Sequence, residues 1–485
     1  MTERYTALTR DETPPKWPGS PRSLLWIAAL AVAVVFIVRD SDRLSAPFGP
    51  SHDGFNAALY MTGGRAILED GLLVSRVGAS SRTVSGDRVI YAHHPPLIYL
   101  ADATSLALVG LTETAARLPA VGSSLVVLVL LVFVLAASGL PSGPAGIGLL
   151  FAFATPMFLM FGVMTEPHAL GLAPMAALTL LWQRTRVGCE PHSGVLASAA
   201  AIATLTSWQA GLFAALVGLA LFTARRRKAG IAILTGTAVS AILIGFWILW
   251  AYGGDLADFA ERALHRLGAG NLGRVTFGRM ISQQMLFFSD LFPVGGWLVV
   301  PLATFGLVDR RTRPLVAVSL GTVLGYALLF RNGAYDHSYW LYCILLPLSL
   351  SAGAAADAVA RGLSNLSLPR LTPAALAITL AVVLGVATWQ PSKELAQQRY
   401  ATAMGAQARA LRWPPAQRYA YHALGGHGPT DLMPWLLFYS RRQPFGVDGP
   451  QSVPPGEIVL RVVDGQLVTV QGEQTHEPES LEEPA

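Results

Sequence analysis

The chain has 485 residues, of which 52% are hydrophobic and only 13% charged, with a mean hydropathy of +0.46. Soluble domains carry about twice that charged fraction, and the apolar residues come in blocks long enough to cross a bilayer, which takes roughly 20 residues per helix. The net charge of +5 does not point to nucleic acid, because the basic residues cluster in short connectors between apolar blocks, the positive-inside pattern.

Residues 1–22 read as a weakly basic cytoplasmic tail. The first apolar block, 23–38, runs into Arg39-Asp40-Ser41-Asp42 without a small-residue cleavage site, so a retained first span is expected rather than a signal peptide. The polar loop 39–94 follows. It opens with Ser51-His52-Asp53-Gly54-Phe55-Asn56, passes through a helix-like stretch to Asp70, and closes in Tyr91-Ala92-His93-His94-Pro95-Pro96. Three apolar blocks, 95–111, 117–137 and 144–163, then lead to Thr165-Glu166-Pro167-His168.

The basic connectors Arg184/Arg186, Arg225-Arg226-Arg227-Lys228, Arg310-Arg311/Arg313 and 361–370 are assigned to the cytoplasm. Between them lie the pairs 195–205 with 207–223, 231–250 with 291–307, and 315–330 with 339–360. A last span is expected at 373–389. Glu166 and Asp53 share the outer side only if one of the three earlier blocks does not cross. The shortest, 95–111, carries Asp102 and is expected to be re-entrant. The total is about 11 spans, with 11–13 allowed. Neither cysteine, Cys189 or Cys343, suggests a metal site or a disulfide framework, and no internal repeat of the kind common in secondary transporters is evident.

The chain thus divides into the tail, a membrane region at 23–390, a small extracytoplasmic segment at 391–473 and an acidic tail at 474–485 read as disordered. Within the third part, 395–412 has helical character, Trp413-Pro414-Pro415 breaks it, and 457–471 alternates as a strand pair around Asp464-Gly465.

Polar residues stranded among membrane helices need a reason, and here they gather at the outer face. Besides the first loop and Glu166, a third group is Arg331-Asn332-Gly333-Ala334-Tyr335-Asp336-His337-Ser338-Tyr339. Each has a plain structural alternative. Asp53 suits a helix N-cap, Glu166 before Pro167 suits another, and His93 and His94 precede a Pro-Pro helix start. Arg331 suits a snorkelling anchor, and Tyr335, Tyr339 and Tyr342 an aromatic belt. The charged run Asp255 to Arg266 reads as an amphipathic solvent-facing helix in the 253–290 loop, or equally as a lid. Taken together, the carboxylates, imidazoles, tyrosines and arginine suit sugar transfer from a lipid phosphate. A carboxylate takes the proton of an attacking hydroxyl, while Arg and His neutralise a departing phosphate.

The order of Asp53, a short interfacial helix, His94-Pro95-Pro96 and Ala116-Arg117-Leu118-Pro119-Ala120 resembles the glycosyltransferase C (GT-C) superfamily, in the branch of protein O-mannosyltransferases and lipid A aminoarabinose transferases. The resemblance covers residues 24–185 and returns at His337-Ser338-Tyr339-Trp340-Leu341-Tyr342. It implies an all-α polytopic membrane protein with a GT-C type transmembrane helical bundle in the bacterial cytoplasmic membrane. It also implies inverting transfer of a monosaccharide from a polyprenyl-phosphate donor to an envelope glycan, lipid or protein at the extracytoplasmic face. Asp53 matches the first-loop acid, a base or acceptor-orienting group, and Glu166 the second acid. His94 occupies the position before Pro-Pro where aminoarabinose transferases carry a phosphate-binding lysine. Arg331, His337 and Tyr339 join it, supported by His93, Asp102, His168 and Tyr335. Many members pair two acids in the first loop, whereas Asp53 is followed by Gly54-Phe55. Metal dependence stays open: if magnesium or manganese takes part, Asp53 and Glu166 are its expected ligands. The rivals are a transporter or flippase of lipid-linked sugars, an envelope polymerase or ligase, and a membrane scaffold.

Overall fold

A computed structural model describes residues 23–49, 51–82, 88–269, 275–292, 296–365, 406 and 409, with four short stretches at 419–421, 445–446, 458–463 and 466–471. The expected N-terminal tail, the last span at 373–389, nearly all of the helical stretch 395–412 and the acidic tail lie outside these residues.

In chain order the first helices are α1 (Ser23–Leu44) and α2 (His52–Ser75), followed by strands β1 (Ala79–Arg82) and β2 (Arg88–Ile90). Then come α3 (Leu97–Val109), α4 (Glu113–Ala137), α5 (Ser142–Phe153), α6 (Pro156–Phe161) and α7 (Pro167–Arg186). Next are α8 (Ser193–Thr206), α9 (Trp208–Thr223), α10 (Arg227–Ala251), α11 (Ala257–Leu267) and α12 (Phe277–Leu291). They are followed by α13 (Gly296–Val308), α14 (Arg313–Leu329), α15 (Arg331–Asp336), a 3-10 helix (Ser338–Ile344) and α16 (Leu345–Asn365). Among the described residues beyond these lie four short strands: β3 (Tyr419–Tyr421), β4 (Phe445–Gly446), β5 (Ile458–Val463) and β6 (Gln466–Gln471).

Four helical segments, Ser23–Leu44, Glu113–Ala137, Arg227–Ala251 and Ser338–Leu363, are long and apolar enough to cross a membrane, and six shorter apolar helices accompany them among the described residues. Large apolar side chains stay exposed along them, as at Ile231, Ile242, Leu243 and Phe246 of α10. In water that is costly; against lipid it is the expected state.

Two expectations are corrected. The block 144–163 is not one helix. Thr155, held extended (φ −111°, ψ 154°) ahead of Pro156, separates α5 from α6, because a proline disfavours helical backbone at the residue before it. The 12 residues of α5 span about 18 Å, short of the roughly 30 Å hydrocarbon core. The 13 residues of α3, the suspected re-entrant block, reach about 20 Å and also fall short. The charged run does form the expected helix, α11, with α12 after it, but α11 is not wholly solvent-facing: its Phe259 ring stacks on His93.

The chain divides into two units: residues 1–42, 93–97 and 120–392, and residues 43–92, 98–119 and 393–485. In the first unit, helices approach through glycine. A Cβ on Gly148 of α5 would collide with Ser349 O and lie 2.6 Å from Gly353 N of α16, and one on Gly236 of α10 would collide with Ala197 O of α8. Small residues that let backbones touch are how helices associate where lipid removes the hydrophobic drive.

The basic ends of this unit are tied together by ion pairs. Arg311 Nη2 lies 2.7 Å from Asp309 and 2.6 Å from Asp357 of α16, which also pairs with Arg361. Arg311 Nη1 donates to Gly139 O at 3.3 Å, so one guanidinium joins the end of α4, the α13–α14 connector and α16. Hydrogen bonding to Arg311 holds the Asp309 carboxyl below the usual range, against a smaller opposing effect of burial.

In the second unit, α2 packs on α3. A Cβ on Gly63 would lie 2.5 Å from the Tyr99 ring, and one on Gly64 would lie 2.7 Å from Ala103 N. β1 and β2 pair antiparallel. The expected strand pair is present: β5 and β6 pair antiparallel from Ile458↔Gln471 to Val463↔Gln466. β3 lies parallel to β5 on one side and to β4 on the other.

Candidate active site

Asp53 lies in the first turn of α2, but it is not the cap. Ser51 is, its hydroxyl accepting from Gly54 N at 3.1 Å. The Asp53 carboxylate is instead gripped by Arg117, whose Nη2 and Nε lie 2.8 and 3.3 Å from Oδ2. Arg117 Nη1 donates to Ala46 O at 2.8 Å and Leu44 O at 3.3 Å, and its guanidinium lies 4.6 Å over the Phe48 ring. Both side chains are buried. Asp53 Oδ1 has no hydrogen-bond partner among the described residues, so one oxygen is anchored and the other left open. Asp102 sits in the same unit, fully buried, its Cβ 2.9 Å from where a Cβ on Gly64 would be. Neither of its carboxyl oxygens has a partner among the described residues. An unsatisfied buried polar group costs about 1–3 kcal/mol.

In the other unit, Glu166 caps α7. Its extended backbone (φ −158°, ψ 144°) is followed by Pro167 at the first helical position, and Oε2 accepts from His168 N at 2.7 Å. The same oxygen lies 2.6 Å from His168 Nδ1. The His168 ring stacks on Trp340 (centroids 5.6 Å apart, 29°) and meets the edges of Tyr326 and Tyr339 at 5.8 and 6.0 Å. Tyr339 in turn stacks on His337 at 5.1 Å. Glu166, His168, His337 and Tyr339 are therefore one cluster.

His93 and His94 are buried rather than interfacial. His93 O accepts from Trp208 Nε1 at 2.8 Å, its ring stacks on Phe259 of α11 at 5.8 Å, and Nε2 lies 3.3 Å from the Tyr252 hydroxyl. Burial, followed by the charges of Arg266 and Arg262, pushes its imidazole down to about 2. His94 is likewise held well below the usual imidazole range, first by burial and then by Arg266, His168, His93 and His337. Arg266 is thus the arginine whose charge reaches both imidazoles.

Arg331 and Tyr335 sit elsewhere in this unit. The Arg331 guanidinium packs against Gly268 at the end of α11, where a Cβ would come 2.9 Å from Nε, and Tyr335 lies under Arg279 at 5.5 Å. The arginine that holds His94 down is Arg266. Sequence reasoning did not single out three residues here: Arg117, Arg266 and Trp340. Arg117 stood in the quoted Ala-Arg-Leu-Pro-Ala stretch, and a buried arginine beside a loop acid was the signal available. Arg266 stood in a charged amphipathic run, spaced seven residues from Phe259 and so on the same helical face.

Among the described residues no group of three or more His, Cys, Asp or Glu side chains is disposed to hold a metal ion. Asp53 has given Oδ2 to Arg117 and Glu166 has given Oε2 to His168, so each would meet a cation through its other oxygen.

These features define a polytopic helical membrane protein with a buried basic cluster and a separately anchored carboxylate. A scan of protein-family models and a search of curated proteins match nothing to the chain. Solved structures do match. ArnT from Cupriavidus metallidurans in the apo state aligns over 90% of this chain and 93% of its own, with a TM-score of 0.53 and 16% identity. The same protein bound to undecaprenyl phosphate aligns over the same shares with a TM-score of 0.57 and 16% identity. The fold is the GT-C type expected from the sequence.

Proposed function

We propose that the chain is a membrane glycosyltransferase that moves a monosaccharide from a polyprenyl-phosphate donor to a cell-envelope acceptor. The reaction takes place at the extracytoplasmic face of the bacterial cytoplasmic membrane, with inversion. The observation that supports this reading is the cluster of buried His93, His94 and His168 with His337, on whose His94 Arg266 acts most strongly after burial. A lipid phosphate is an anion that such a group of imidazoles and an arginine can bind, and the ArnT structure bound to undecaprenyl phosphate has this chain's fold.

In this scheme an acceptor hydroxyl attacks the anomeric carbon, the bond from that carbon to the phosphate oxygen breaks, and polyprenyl phosphate leaves. The hydroxyl proton passes to Asp53, whose Oδ1 is open while Arg117 fixes Oδ2. His94, His337 and Arg266 stabilise the charge on the leaving phosphate, with Tyr339 holding His337. Arg331 supports the end of α11 that carries Arg266. No step is routed through a metal. Residues 23–390 form the catalytic region, with 39–94 as its first loop, and 391–473 an appendage.

The test is transfer by purified wild type and Asp53→Asn in detergent, with radiolabelled polyprenyl-phosphate sugars, an envelope extract, and parallel EDTA lanes. Wild type is expected to label an acceptor with or without EDTA, and the folded variant to lose at least about 100-fold. If no donor is consumed, the enzyme reading fails and a carrier of lipid-linked sugars takes its place.

A further inference from the structure

Glu166 was expected to meet substrate itself, yet its hydrogen-bonded oxygen is turned inward. Oε2 accepts from both the backbone N–H and Nδ1 of His168. A carboxylate only accepts, so the shared proton sits on Nδ1, the tautomer whose lone pair is on Nε2. The ring cannot swing away, with Trp340 along one face and Tyr326 and Tyr339 against its edges. Cys343 Sγ closes on the His168 carbonyl at 3.8 Å. Nε2 is buried and has no partner among the described residues. Most buried polar atoms have a partner, so this nitrogen is an exception that needs a reason. A carboxylate held on one ring nitrogen fixes the direction in which the other points, as it does for histidines that bind metals.

We infer that His168 is the group that touches substrate and Glu166 the residue that positions it, with Nε2 accepting a hydrogen bond from a hydroxyl of the transferred sugar. This rests on the transferase reading and deepens it. The sugar is chosen over the acceptor because Tyr339 and Trp340 each lie against both the His168 and His337 rings, His337 is in the cluster assigned to the phosphate, and the donor's anomeric carbon is bonded to that phosphate's oxygen. The donor class is accordingly a monosaccharide with a free hydroxyl near its phosphate linkage. A sugar lacking that hydroxyl leaves Nε2 buried and unpaired, the situation in which binding sites discriminate most strongly.

The test is a cycle of two variants against a series of monodeoxy polyprenyl-phosphate donors. His168→Asn keeps an amide N–H near Nδ1 for Glu166 and deletes Nε2; His168→Gln keeps a polar group near Nε2 and drops the Glu166 contact. Wild type is expected to lose roughly 100-fold in kcat/KM on one deoxy donor and little on the others. His168→Asn is expected to lose a similar factor on the full donor and to be indifferent to that one deoxygenation, with His168→Gln falling between. Equal kcat/KM for His168→Asn and wild type, or deoxy losses that multiply independently of the variant, overturns the inference. If His168→Asn does not fold, the same cycle with His168→Gln decides. If wild type transfers no sugar at all, it is the transferase reading that has failed.

Discussion

Arg117 Nη2 and Asp53 Oδ2 meet at 2.8 Å across 64 residues of sequence, with both side chains buried. Every other contact of the guanidinium, the Leu44 and Ala46 carbonyls and the Phe48 ring, belongs to the segment leading into α2. Folding that segment therefore aims the carboxylate, and Asp53 does not depend on substrate to find its orientation.

Arg117→Ala leaves Asp53 as an unpaired buried charge and is expected to cost about 3–5 kcal/mol. The double variant Asp53→Leu, Arg117→Met removes both charges at similar volume and is expected to recover most of that stability while transferring no sugar. Thermal unfolding in detergent beside the transfer assay separates the two effects. A double variant as unstable as Arg117→Ala contradicts the pairing.

Glycine substitutions should divide sharply. Gly148→Ala and Gly236→Ala drive a methyl into backbone atoms of α16 and α8, and each is expected to cost about 1–3 kcal/mol. Gly245→Ala in α10 meets nothing within 4 Å and should be neutral or gain up to about 1 kcal/mol from helix propensity. Equal melting temperatures across the three would rule out the close helix approaches.

Acid should weaken the unit that holds His93 and His94. Both imidazoles are held below their ordinary value of 6.5 by burial first, then by basic neighbours: Arg262 and Arg266 for His93; Arg266, His168, His93 and His337 for His94. Between the folded and unfolded pKa the unfolded chain binds more protons, so stability falls as pH drops below about 6.5, by up to about 1.4 kcal/mol per pH unit for each histidine. His93→Gln should flatten that slope. A slope unchanged by the substitution would show that His93 is protonated in the folded protein.

Asp357 takes two arginines at once, one of them the largely exposed Arg361. Solvent screening of Arg361 limits the worth of the cluster, and Asp357→Asn is expected to cost about 1–2 kcal/mol. The loss should shrink in high salt. A melting temperature independent of both substitution and salt would mean the pairs contribute nothing.

Much of this was legible from local chemistry. The β5–β6 hairpin follows from alternation around Asp464-Gly465, and the start of α7 from Glu166-Pro167. The break between α5 and α6 was equally legible, since Thr155-Pro156 announces it, and the uniform hydropathy of 144–163 concealed it. What could not be read were relationships at a distance. Periodicity says that Arg117 lies in an apolar helix, and nothing about the carboxylate 64 residues earlier that makes its burial tolerable. Arg266 looked like one charge among several on a solvated face. Only the packing of Phe259 on His93 shows that α11 turns inward there.

The dual use of Glu166 has a consequence for how this chain can vary. Serine, asparagine or aspartate at 166 serves a helix start as well as glutamate does, so selection for folding alone is permissive there. None of them has the reach to cap α7 and hold the His168 ring at the same time. A library randomised at this single codon should therefore show two different tolerance profiles: broad when sorted for expression in the membrane, and narrow when sorted for product.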